Sequence, residues 1–206
     1  MAMTPMLQVE NLRFHFATHA LFHDFSASLP AGITWLRGAN GKGKTTLQKL
    51  LAGALVPLAG RIRLEGVDCA DDPLLYRSRT LYAGTDLPEL PWLTVRELLD
   101  LHLALYPAGE NGAVNAQLAA FGITDVLEQG LTTLSLGQHK KVQLALALAL
   151  PLHLLLLDEP FNGLDTAAVA YLRTSLETRA AEGRQCIVLT SHVEPLVTLA
   201  ATLDLD

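Results

Sequence analysis

The chain has little cysteine: two residues in 206, Cys69 and Cys186. They lie far apart in the sequence and fit no metal-binding spacing, so the sequence offers no thiolate metal motif. Cys186 lies inside the apolar run Cys186-Ile187-Val188-Leu189 and reads as a buried thiol in a reducing cytosol. Positive charge is also scarce. Lys and Arg number 15 against 21 Asp and Glu, a formal net charge of −6, so there is no basic excess of the kind that marks a nucleic-acid surface, and no nucleic-acid partner is expected. No apolar run is long enough for a membrane span. The best stretch, Val142–Leu157, is interrupted by Gln143, Pro151 and His153 and falls short of the roughly 20 residues a span requires. Glu10 and Arg13 break the opening residues, so no secretory signal is read there. Internal repeats and low-complexity tails are missing too. What remains is a chain that is half hydrophobic, enough for a sizeable core, and of a length that suits one domain over 1–206. It is expected to be soluble, or peripheral through a partner.

The most informative stretch present is Gly38-Ala39-Asn40-Gly41-Lys42-Gly43-Lys44-Thr45, which fits G-x-x-x-x-G-K-[ST] without a mismatch. Gly32–Arg37 before it reads as a short buried strand, and Thr46–Ala52 after it as a helix. Glycines let the backbone curl so that several N–H groups face one anion, and the helix N-terminus adds partial positive charge at the same place. In such a loop Lys44 reaches the β- and γ-phosphates and the Thr45 hydroxyl holds Mg²⁺.

The remaining pattern suggests the order of elements. Leu7–Leu36 alternates short apolar runs with turn residues and predicts antiparallel strands leading into the loop. The helix after the loop is expected to end near Ala54, and Arg61–Glu65 to form a strand with Ile62 and Leu64 on one face. From Thr94 to Leu131 the pattern turns helical, with a loop at Pro107–Gly112 and further helix over Val114–Phe121 and Asp125–Glu128. This is a candidate helical subdomain, about 94–140, inserted into the nucleotide domain. Pro151–Asp158 and Arg184–Leu189 read as strands covered on both faces.

Two more motifs carry chemistry. Leu154-Leu155-Leu156-Leu157-Asp158-Glu159 is an apolar strand ending in two carboxylates. Asp158, delivered beside the loop, would support Mg²⁺ directly or through water, and Glu159 would orient or deprotonate an attacking water. Leu134-Ser135-Leu136-Gly137-Gln138 precedes a helix expected to begin near His139. Ser135 and Gly137 would present a hydroxyl and N–H groups to a second anion, while Ser135 with Gln138 also fits an S-x-x-Q capping box. The two readings are compatible.

Taken together, these motifs resemble the nucleotide-binding subunit of an ATP-binding cassette (ABC) transporter over about Leu7 to His192. The resemblance implies an α/β P-loop NTPase fold with a mainly parallel sheet core, an antiparallel β subdomain and an inserted helical subdomain. It matches the phosphate loop to Gly38–Thr46, so that Gly38, Asn40, Gly41, Lys42, Gly43, Lys44, Thr45 and Thr46 surround ATP. The family's L-S-G-G-Q signature corresponds to Leu134–Gln138, with Leu136 in place of the usual glycine. Asp158 ends the Walker B strand, and Glu159 stands at the catalytic glutamate. Asp165, after Asn162-Gly163-Leu164, resembles the D-loop aspartate of a dimer interface, and His192 the switch histidine that contacts the γ-phosphate. Phe16 takes the place of the aromatic that stacks on adenine; a core strand phenylalanine is the competing reading. The cofactors implied are ATP and Mg²⁺. The partners implied are a second ABC ATPase chain, head to tail, and an integral membrane transporter subunit that keeps this chain on the cytoplasmic face of the membrane.

The chain departs from the family pattern at the Q-loop. Alignment back from Leu93-Thr94-Val95 puts Thr85 where glutamine is usual, and no Gln occurs between Gln48 and Gln117. Within the family, the short length, Asp158-Glu159-Pro160-Phe161 and Ala20-Leu21-Phe22 resemble the ATPase subunit of cytochrome c maturation, a haem-exporter type. Three alternatives stand beside transport. One is an ABC ATPase of a soluble assembly such as iron–sulfur cluster biogenesis. Another is a DNA-repair or ribosome-associated ATPase, against which the acidic charge and the lack of a long insertion weigh. The third is an inert nucleotide switch, left open by Thr85 and Leu136.

Overall fold

The computed structural model describes residues 5–17, 19–84, 90–106 and 109–205. Along the chain the strands are β1 (Leu7–Phe16), β2 (His19–Leu29), β3 (Gly32–Arg37), β4 (Ala59–Leu64), β5 (Val67–Asp68), β6 (Thr80–Ala83), β7 (Leu154–Leu157), β8 (Cys186–Thr190) and β9 (Ala201–Asp204). The helices are α1 (Lys44–Leu51), α2 (Pro73–Ser78), α3 (Val95–Leu105), α4 (Asn111–Ala120), α5 (Leu136–Ala149) and α6 (Thr166–Ala181). They fall into two compact units. One comprises Met1–Tyr82, Leu152–Glu159 and Leu176–Asp206; the other comprises Ala83–Pro151 and Pro160–Ser175.

The first unit holds two sheets. One is antiparallel, in the order β2-β1-β4-β5. In β1 the inward residues change parity, from Leu7 and Val9 to Leu12 and Phe14. The register shifts between them, where Asn11 takes φ 50°, so one extra residue keeps both halves of the strand facing the core. The other sheet runs β6-β7-β8-β3-β9, with β7, β8, β3 and β9 mutually parallel. Every residue of β7 and β8 is buried, as strands covered on both faces require, and this is why their sequences are runs rather than alternations. The α/β class and the mixture of parallel and antiparallel sheets agree with the fold expected from the motifs. Tyr76, wholly buried on α2, donates its hydroxyl to Leu51 O at the end of α1 at 2.7 Å. Burial drives its phenol well above the usual range, so the bond keeps its proton.

The second unit is mainly helical and contains the whole 94–140 stretch, extending beyond it at both ends. Thr94 and Glu97 form a capping box that starts α3, and Val95, Leu98 and Leu99 are its buried stripe. Tyr171 donates to Gln117 at 2.8 Å and meets Phe121 edge to face at 5.0 Å, joining α6 to α4. In the first unit α1 ends at Leu51, short of the expected Ala54, and in the second unit three further boundaries differ from the sequence-based expectation. α4 begins at Asn111, inside the expected loop, because the first turn of a helix tolerates Asn and Gly whose N–H groups need no helical partner. The helix expected at Asp125–Glu128 is a single 3₁₀ turn, Thr124–Val126, confined between Gly122 in a left-handed conformation and Gly130. α5 starts at Leu136, three residues before His139. Thr85 lies outside the described residues. Among the described residues, no helix is long and apolar enough to cross a membrane.

Candidate functional site

Three parallel strands deliver the candidate residues in the first unit. β3 runs into the phosphate loop, β7 into Asp158 and Glu159, and β8 into Ser191 and His192. Since β7, β8 and β3 are adjacent and parallel, their C-terminal ends open on one edge of the sheet, where open α/β sheets bind ligands. The loop turns into α1 at Gly43, which takes φ 94° and lies so close to β2 that a Cβ there would meet Leu21 Cδ2 at 2.8 Å. Only glycine satisfies both the conformation and the contact. The first helical bond is Leu47 N to Gly43 O at 2.7 Å, and no side chain caps the helix. The N–H groups of Lys44, Thr45 and Thr46 therefore precede the helical ladder and face out of its positive end.

Lys44 folds back over this loop, its Nζ donating to Gly38 O at 2.7 Å and Ala39 O at 3.1 Å. Thr45 donates to Asp158 Oδ2 at 2.6 Å, so the loop hydroxyl and the strand carboxylate already touch. Glu159 follows at φ 49°, a conformation that strains a non-glycine residue, with Oε1 at 3.6 Å from His192 Nε2. An open cleft of about 430 Å³ runs along Gly38, Asn40, Lys44, Ser191, His192 and Asp204. A second, of about 420 Å³, is lined by Leu21, Phe22, His23, Phe25, Gly41 and Lys42. Phe16 is 52% exposed at the end of β1, edge-on to Phe14 at 4.9 Å, so it is not a core residue.

Some residues that hold this site are not singled out by sequence motifs. Gln48 is wholly buried and its Nε2 donates to Leu157 O at 3.1 Å and Val188 O at 3.4 Å, pinning α1 to β7 and β8. Its signal was a polar residue on the same helical face as Leu47 and Leu51. Tyr82 reaches Asp158 Oδ2 at 3.3 Å, and Thr190 reaches Oδ1 at 2.6 Å. Trp35 donates to Ser191 O at 3.4 Å and carries the Arg37 guanidinium 5.0 Å from its ring centre.

The other candidates gather in the second unit. Ser135 caps α5 with a complete box: Gln138 N donates to Ser135 Oγ at 3.2 Å, and Ser135 N donates to Gln138 Oε1 at 2.9 Å. Leu136 is 91% exposed beside it. Gly137 passes close to the Asn162-Gly163 turn, where a Cβ would stand 3.1 Å from Gly163 O. Asp165 pairs with Lys141 at 2.6 Å and accepts from Ala168 N at 2.9 Å, capping α6; the Lys141 bond first, then the backbone bond, hold its carboxyl below the usual range.

The ABC transporter family matches residues 22–162, a segment that includes the phosphate loop, Ser135–Gln138 and the Asp158-Glu159 pair. The cytochrome c biogenesis ATP-binding export protein CcmA of Aromatoleum aromaticum is 36% identical over 209 residues, covering 98% of this chain and 96% of that protein. CcmA of Paramagnetospirillum magneticum is 38% identical over 191 residues, covering 90% of this chain and 87% of that protein. A solved ATP-binding subunit of an ABC transporter superposes with a TM-score of 0.81 at 26% identity, covering 91% of this chain and 80% of its own. A nucleotide-type loop joined to a carboxylate strand, a family match across most of the chain and relatives aligned nearly end to end agree: the chain belongs to the ABC transporter family, as an ATP-binding and ATP-hydrolysing subunit.

Proposed function

We propose that this chain is the ATPase subunit of a cytochrome c maturation exporter of haem-exporter type. In this reading 1–206 form one ABC ATPase domain, which drives a separate integral membrane subunit from the cytoplasmic face. The export role is supported by what the CcmA relatives are named for. A soluble iron–sulfur assembly draws no support from them. The observation that carries the ATPase reading is the 2.6 Å contact of Thr45 with Asp158, with Glu159 next in the chain.

ATP enters with its phosphates against the loop backbone and the N-terminus of α1. Lys44 exchanges the carbonyls of Gly38 and Ala39 for phosphate oxygens. Thr45 and Asp158 would hold Mg²⁺: one hydroxyl and one carboxylate are hard oxygen donors, and phosphate oxygens and water complete such a set. Among the described residues no group of three His, Cys, Asp or Glu side chains competes as a metal site. The ion, when bound, neutralises phosphate charge. Glu159 orients the attacking water and takes its proton. The water oxygen bonds to the γ-phosphorus while the bond to the β–γ bridging oxygen breaks, and ADP leaves with that electron pair. His192 faces the γ-phosphate, and Phe16 stacks on adenine. A second copy, head to tail, closes over the nucleotide with Ser135, Gly137 and Gln138, and Asp165 lies in the contact between copies. ATP binds the closed pair better than the open one and so shifts the population towards it.

Glu159→Gln tests this. It is expected to bind ATP normally, to lose turnover by roughly 10²–10⁴-fold and to accumulate a dimer with Mg-ATP. Wild-type turnover in that variant would remove Glu159 from catalysis. Affinity purification of the chain from membranes should recover an integral membrane protein, and recovery of soluble partners alone would sink the transport role.

A further inference from the structure

Thr190 ends β8, is fully buried, and uses both sides of its hydroxyl on the two acidic residues of the neighbouring strand. Its Oγ1 donates to Asp158 Oδ1 at 2.6 Å. The same oxygen accepts the backbone N–H of Glu159 at 2.9 Å. Asp158 Oδ2 takes the Thr45 hydroxyl at 2.6 Å. The carboxylate is thus held through Oδ1 by Thr190 and through Oδ2 by the phosphate loop and by Tyr82 of β6. The Glu159 backbone is in a left-handed conformation that is costly for an L-residue, and its N–H donates to this hydroxyl on the adjacent strand. Parallel pairing sets the arrangement: Leu157 stands opposite Leu189, so Asp158, Glu159 and Thr190 meet just past the last paired rung.

We propose that Thr190 is a positioning residue for ATP hydrolysis, its single hydroxyl fixing both the carboxylate of Asp158 and the turn that presents Glu159. The inference rests on the roles given above to those two acids. Threonine suits the place because a β-branched side chain fits a strand packed on both faces, while its oxygen has one proton to give and lone pairs to receive. Valine would fill the same volume and leave a carboxylate oxygen and an N–H without this partner.

The test compares Thr190→Val, Thr190→Ser and Glu159→Gln in the full chain, reading kcat, KM, the magnesium concentration for half-maximal rate, and ATP affinity without magnesium. Thr190→Val is expected to lose about 10- to 100-fold in kcat, the size of loss a small misplacement of reacting groups produces, and to need more magnesium. Its affinity for magnesium-free ATP should not change, and Thr190→Ser should restore most of kcat. A Thr190→Val chain with wild-type kcat and magnesium response would overturn the assignment. So would a Thr190→Ser chain as impaired as Thr190→Val, since the hydroxyl would then not be what matters. Loss of magnesium-free ATP binding in Thr190→Val would make the hydroxyl a folding requirement and overturn it as well. Turnover lost in Glu159→Gln but kept in Thr190→Val strikes this inference alone. Turnover kept in Glu159→Gln strikes the reading of the acidic pair, and the inference with it.

Discussion

Two helices of this chain were expected to offer an anion their N-termini, and they are finished in opposite ways. α1 begins at Gly43 with no side-chain acceptor on its first N–H groups, behind a backbone only glycine adopts without strain. α5 begins at Ser135 with a closed capping box, in which Ser135 and Gln138 satisfy each other's N–H. Both ends carry the same helix dipole. The bare end forgoes a cap worth about 1 kcal/mol and keeps its donors for a ligand. The capped end spends its serine hydroxyl and glutamine amide within the lone chain. This contrast fits a phosphate loop that grips ATP by itself and a signature that contributes only when a second copy carries it to a nucleotide already bound.

The largest expected effect falls on the bare end. Lys44→Ala removes a charged donor, worth roughly 1.5–3 kcal/mol, and should weaken Mg-ATP binding by about 10- to 150-fold in calorimetry. Unchanged affinity would contradict the assignment of the loop. The same glycine-to-alanine change at both ends then separates them. At Gly43 a methyl group meets Leu21 at 2.8 Å in a backbone at φ 94°, so Gly43→Ala should cost about 1–2 kcal/mol in denaturant unfolding and weaken ATP binding with it. At Gly137 the residue is already helical and the nearest obstacle is Gly163 O at 3.1 Å. Alanine's helix preference is below its interior value of about 1 kcal/mol in this first turn but acts against that contact, so Gly137→Ala should change stability less than Gly43→Ala and leave single-chain ATP affinity close to wild type. Equal losses at the two positions would erase the distinction.

How legible these ends are in the sequence differs in the same way. The phosphate loop is local: its glycines, Lys44 and Thr45 are consecutive, and the flanking strand and helix are short-range patterns. Ser135 and Gln138 are equally local, and the box they form marks the true start of α5; a glycine in the first turn does not postpone a helix, though it weakens one further in. The supports of the site are different. Thr190 is a polar residue closing an apolar strand, and nothing near it in sequence indicates that its partners are Asp158 and Glu159. Tyr82 is likewise tied to Asp158 only through the order of strands in the sheet. Phe16 is ambiguous because β1 changes register three times against β2, so alternation cannot be counted from one end of the strand to the other.

Ser135→Ala sharpens the comparison at the capped end. It should cost about 1 kcal/mol of stability, the usual loss for a serine cap, while a single chain binds ATP as before. If the signature acts only in the closed pair, the variant should show reduced turnover and less ATP-dependent dimer in sedimentation. A weaker affinity in the monomer would mean that Ser135 serves its own chain's nucleotide, and the contrast between the two helix ends would fail.

The smallest effect concerns pH at the capped end. His139 follows the box on α5, half-buried, with Gln143 Nε2 at 3.1 Å from its Nδ1. In that arrangement the ring nitrogen accepts, and a proton there would oppose the amide. Burial holds the imidazole below its ordinary pKa, so the folded state prefers the neutral ring. Above about pH 6.5 the ring is neutral in both folded and unfolded chains, and its contribution to stability is fully present. As pH falls from there, the unfolded chain takes up the proton first, and that contribution is lost progressively until the folded value is passed. Denaturation midpoints measured between pH 7.5 and 5.5 should therefore fall less steeply for His139→Gln than for the wild type. Magnesium-free ATP affinity of the single chain, which in this reading depends on the phosphate loop and α1, should show no such difference between the two proteins. Parallel midpoints would mean that the ring stays open to solvent, and that the capped end is less tightly closed than its hydrogen bonds imply.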